Sequence, residues 1–112
     1  MTINVYEQYF KASCMANGVQ RNGALVMLIA DSEAGHIRYE AAVTFFPHNA
    51  EDDFGVSYDA YYSDVLYEAD GRRSKKREAQ LLEQLPARID ELSEKNGGKV
   101  FWDQPLREAR RG

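Results

Sequence analysis

A chain of 112 residues with a net charge of −4 is sized for one domain with one core, and its 44% apolar content excludes a wholly disordered chain. The longest purely apolar run, residues 24–30, is too short for a membrane-crossing helix. The single cysteine, Cys14, excludes an internal disulfide, and residues 1–7 lack the basic and apolar regions of a secretory signal, so a cytoplasmic protein is expected.

Residues 3–15 alternate as a strand does. Ile3, Val5 and Tyr9 share one parity, and Tyr6, Phe10, Ala12 and Cys14 share the other. Asn17-Gly18 and Asn22-Gly23 are both turn dipeptides, and one is expected to close a hairpin. Residues 24–30 are apolar at every position. A strand covered on one face needs apolar side chains only at alternate positions, so this run predicts a central strand covered on both faces. After a turn at residues 31–35, residues 36–46 alternate again, with Ile37, Tyr39, Ala41, Val43 and Phe45 on one face. Residues 47–55 read as an acidic loop. Residues 56–69 read as a strand carrying Tyr58, Tyr61, Tyr62 and Tyr67, with a bend at residues 61–63 where the alternation is weakest.

Ser74 is placed to cap a helix over residues 74–95. On that helix Leu81, Leu82, Leu85, Ile89 and Leu92 form one apolar stripe about 100° wide. The stripe keeps its phase across Pro86, which predicts one kinked helix rather than two. Asn96-Gly97-Gly98 ends it, residues 99–102 are extended, and residues 107–112 form a polar tail. The expected fold is α+β: an antiparallel β-meander of about four to five strands, with one kinked amphipathic helix packed on one face. It occupies a single domain over residues 1–106.

Charge is sorted along the chain. Residues 31–70 carry ten carboxylates against Arg38 alone, and residues 72–77 then carry five cations. His48 beside Glu51, Asp52 and Asp53 has the residue types of a metal site, but the EF-hand spacing is missing and Cys and His are too few and too far apart for zinc. A solvated acidic loop is the plainer explanation. Cys14 with His36 or His48 carries no nucleophile–base signature, and no glycine-rich phosphate loop is present. Neither a cofactor nor an enzymatic activity is expected.

Two constellations stand above that background. Glu51, Asp52, Asp53, Tyr58, Asp59, Tyr61, Tyr62 and Asp64 form an acidic, tyrosine-rich stretch. Tyrosine offers apolar area with a polar tip, and spaced carboxylates can stand in for phosphates, so the stretch suits a contact surface for a basic protein, such as a nuclease. Arg72, Arg73, Lys75, Lys76 and Arg77 oppose the helix macrodipole, which points to a partner for them: phosphate, or the chain's own acids at residues 51–70. With Arg110 and Arg111 they supply the alternative expectation, a nucleic-acid-binding module. A homodimer is compatible with long strands bearing exposed aromatics. The leading expectation is a non-enzymatic interaction protein, and in general character (short, cytoplasmic, acidic and without cofactor motifs) the chain is similar to small accessory proteins of phages and mobile elements, anti-CRISPR and other anti-defence proteins among them.

Overall fold

The structure, a computed structural model, describes residues 1–16, 18–47 and 59–104. Four strands run in sequence: β1 (Thr2–Ala16), β2 (Val19–Glu33), β3 (His36–Phe46) and β4 (Ala60–Asp70). Helix α1 (Lys75–Lys95) and a short β5 (Gly98–Val100) follow. All pairings are antiparallel, and the curled sheet has the order β4-β3-β2-β1-β5. The chain is thus a meander whose last strand returns beside the first, with the helix on one face. This is the α+β architecture that the alternation and the leucine stripe predict.

The buried parity agrees from strand to strand. Phe10 faces Ala24 and Ala24 faces Phe45; Tyr6 faces Leu28 and Leu28 faces Ala41. Leu81, Leu85, Ile89 and Leu92 of α1 close over this layer and complete one apolar cluster. Ser74 caps the helix by accepting the Arg77 N–H at 3.2 Å. Pro86 lies inside α1, which continues as a single element.

Of the two turn dipeptides one does close a hairpin: the chain turns at Gly18, whose φ of +75° is costly for any residue with a Cβ, while Asn22-Gly23 lies inside β2. Two sequence expectations need correction. The irregularity of β4 falls between Val65 and Tyr67, opposite the Tyr39–Glu40 step, and not at residues 61–63. Residues 24–30 do form the central strand, but no described helix or strand lies over its second face. Residues 48–58, with Tyr58 and nearly all of the expected acidic loop, lie outside the described residues, as does the expected tail at residues 107–112.

Two close approaches fix the edges of the fold. Gly98 lets β5 pair with β1, because a Cβ there would stand 2.9 Å from the Phe45 ring and 3.2 Å from the Cys14 side chain. Beyond β5, the Trp102 indole donates to Asp90 at 3.0 Å and meets Phe10 edge-on with centroids 4.9 Å apart. This ties the end of the described chain to both helix and sheet. Cys14 is buried at this junction, and burial pushes its thiol above the ordinary pKa, which suits a structural residue.

Candidate interaction surface

The period-two alternation of a strand divides the acidic, tyrosine-rich stretch. Tyr61 points to the helix-free face and is 54% exposed. Tyr62 points the other way and packs against Phe45, centroids 6.3 Å apart. Asp64 shares the side of Tyr62 and accepts from Arg88 of α1 at 3.0 Å. Arg88 also donates to the Val65 carbonyl, so one helical side chain ties α1 to β4. Asp59 precedes β4 and is exposed. Glu51, Asp52, Asp53 and Tyr58 lie outside the described residues.

The basic run is divided as well. Arg73 grips Glu78 with two hydrogen bonds, 2.7 Å from Nε and 3.0 Å from Nη2. The Tyr39 hydroxyl donates to the same carboxylate at 2.8 Å and accepts the Ser74 N–H at 3.3 Å. This network pins the start of α1 to β3. Burial, and then the Glu78 bond, pushes the Tyr39 hydroxyl up, while the Glu78 bond raises Arg73 further. Arg77 stacks its guanidinium 4.3 Å from the centroid of Tyr67 and donates to Gln80. Arg72, Lys75 and Lys76 are exposed. Among the described residues, none of the five cations forms an ion pair with an acid of residues 59–70.

A third cluster emerges only from strand register. His36, Glu68 and Asp70 meet on the helix-free face where β3 begins and β4 ends. His36 Nε2 lies 2.9 Å from Glu68, and Nδ1 lies 3.3 Å from Asp70. Both ring nitrogens therefore face carboxylates, and these bonds, Glu68 first, raise the His36 pKa above its ordinary 6.5. Glu33 stands directly across from His36 on β2. One rung further in, Arg38 pairs with Asp31 at 3.3 Å and Glu40 at 3.1 Å. No signal local to residues 33, 36, 68 or 70 announces this cluster; it needs the register of both hairpins.

At the other end of the same face, Tyr9, Leu25, Thr44 and Tyr61 form one rung across β1, β2, β3 and β4. Gly23 leaves room beside it: a Cβ there would stand 2.6 Å from the Phe46 ring, and Phe46 meets Tyr9 edge-on at 5.7 Å. The helix-free face is thus graded, from carboxylates at one end to aromatic rings at the other. An open groove of about 370 Å³ lies beyond the acidic end, between His36 and Arg72. Among the described residues no three His, Cys, Asp or Glu side chains are grouped to hold a metal, and no helix is long and apolar enough to cross a membrane. Compared with known proteins, the chain matches no family model, no curated protein and no solved structure.

Proposed function

We propose that the protein is a non-enzymatic interaction module that binds a basic protein surface through an acidic face bearing tyrosines. The observation that carries this reading is the placement of Glu33, Glu68 and Asp70 on the same helix-free face as Tyr61. Within that cluster His36 lies against Glu68 and Asp70, and Arg38, directly across from Glu68, is held by Asp31 and Glu40; Arg73 and Arg77 of the basic run turn toward Glu78 and Tyr67 of the body of the fold. Among the described residues the carboxylates of this end (Asp31, Glu33, Glu40, Glu68 and Asp70) outnumber its cations, and such an excess attracts a cationic partner and accelerates encounter. A nuclease or other nucleic-acid-handling protein offers such a surface, and blocking it is work that suits an accessory protein of a phage or mobile element. The test is association with an oligolysine peptide, followed by surface plasmon resonance. Raising the ionic strength from about 0.01 M to about 0.15 M shortens the screening length from roughly 30 Å to roughly 8 Å, and the association rate should fall with it. A rate indifferent to salt, or unchanged in the Glu68→Gln/Asp70→Asn double variant, refutes the mechanism.

The alternative is a nucleic-acid-binding module. It is favoured by Arg72, Lys75 and Lys76, exposed around the first turn of α1. Neutralising Arg72 and Lys76 should weaken retardation of any nucleic-acid sequence about equally at low salt. No retardation of the parent protein removes this alternative.

A further inference from the structure

We infer that the helix-free face is a docking surface for a different protein, one presenting an apolar patch bordered by lysine or arginine, and that the aromatic end of the face is its seat. This deepens the basic-surface reading and rests on it. The starting point is β2. Its even residues Ala24, Val26, Leu28 and Ala30 are buried under α1. Its odd residues Leu25, Met27 and Ile29 are just as apolar and point to the face on which no described helix or strand lies; Met27 is buried there, whereas Leu25 and Ile29 are half-buried. A solvated sheet face normally alternates to polar residues at these positions. Here the apolar run continues sideways into three side chains that are solvent-exposed: Tyr9 at 59%, Tyr61 at 54% and Val65 at 43%. Exposed tyrosines around an apolar floor are the composition of an interface core, not of an ordinary solvated surface.

Charge decides the occupant. From the rung of Leu25 to that of Asp31 is six residues, about 20 Å along the strand. Glu68 shares the rung of Asp31 through Arg38, and Glu33 and Asp70 share the next rung out through His36; at the opposite end, among the described residues, Lys11 is paired across from Gly23. A second copy fits badly either way round. Stacked with like ends together, the faces place carboxylates on carboxylates. Stacked with ends reversed, they bury each acidic end against aromatic rings with, among the described residues, Lys11 to answer several acids. Both arrangements carry desolvation or repulsion without compensation. A foreign surface with apolar groups over Tyr9 and Tyr61, and cations about 20 Å away, satisfies both ends at once. The four strands span about 14 Å, and with overhanging side chains the footprint is on the order of 600 Å², close to the roughly 800 Å² that each side of a stable interface contributes.

The experiment is a pair of amide NMR titrations of the whole protein at low and at physiological salt, with two synthetic peptides of equal charge: oligolysine, and an amphipathic peptide of leucine and lysine. Both should shift the amides of Glu33, Glu68 and Asp70 at low salt. Only the leucine–lysine peptide should also shift Tyr9, Leu25 and Tyr61, and only it should remain bound at physiological salt. The Tyr9→Ser/Tyr61→Ser variant replaces exposed side chains, its amide spectrum checks its fold, and it should weaken the leucine–lysine peptide by about fivefold or more while leaving oligolysine unchanged. If the two peptides bind alike, with shifts confined to the acidic end, the aromatic seat is wrong and the basic-surface reading stands. If neither binds, both fall. Sedimentation showing a dimer that the same double variant dissociates overturns the assignment of this face to a foreign partner.

Discussion

Glu78 is 7% exposed at the place where the helix meets the sheet, and it answers Tyr39, Arg73 and the start of α1 together. Removing its charge leaves a buried phenol and a partly buried guanidinium short of their acceptor. Glu78→Gln, which keeps the size, should lower stability by about 2 kcal/mol in urea unfolding, with the loss shared between Arg73 and Tyr39. Arg73→Lys should cost less, because the ammonium keeps the charge and loses only the two-pronged geometry. His36 acts at the same scale with the opposite exposure. Its folded-state pKa is raised by Glu68 and Asp70, so its stabilising contribution is full below 6.5 and is lost as pH rises through the raised value. A histidine-proton NMR titration should show that elevated midpoint, and Glu68→Gln/Asp70→Asn should return it toward 6.5.

At the scale of elements, two glycines distinguish what a strand tolerates. A Cβ at Gly23 would press on the Phe46 ring, whose side chain is only partly buried and can swing aside. A Cβ at Gly98 would press on Phe45 and Cys14, both fully buried. Gly98→Ala should therefore cost about 2–3 kcal/mol, within the range for overpacking, and Gly23→Ala about 1 kcal/mol or less. Gly23→Ala should instead abolish the cross-strand contact between Tyr9 and Phe46 in NOE spectra. These elements were largely legible in advance: the alternation in residues 36–46 marks β3 with its inward face, and the stripe from Leu81 to Leu92 marks the buried side of α1. Asn17-Gly18 and Asn22-Gly23 carry the same turn preference, so the sequence left open which of them turns; at Gly23 the glycine serves the approach of Phe46 instead.

For the whole molecule, α1, β5 and the sheet share one core, so unfolding should be a single event. Trp102 fluorescence and far-ultraviolet circular dichroism should trace the same transition. Leu85→Ala, at a fully buried position, should shift both together by about 2–5 kcal/mol. Separate transitions would show that the junction of Trp102 with Asp90 and Phe10 melts apart from the sheet. The candidate surface also belongs to this scale. Its parts come from β1, β2, β3 and β4, and reading Tyr61 with Tyr62 as neighbours along the chain hides their positions on opposite faces.

Periodicity alone determined that this protein is an antiparallel sheet with one helix, because burial imposes period two on strands and 3.6 on helices whatever the partner. It also determined that residues 24–30 would be central. Which cations are committed to the fold, which tyrosines reach solvent, and which carboxylates gather around His36 were decided only in three dimensions. Those outcomes depend on hairpin register and on the one-residue irregularity in β4, and a shift of a single residue exchanges the two faces of a strand.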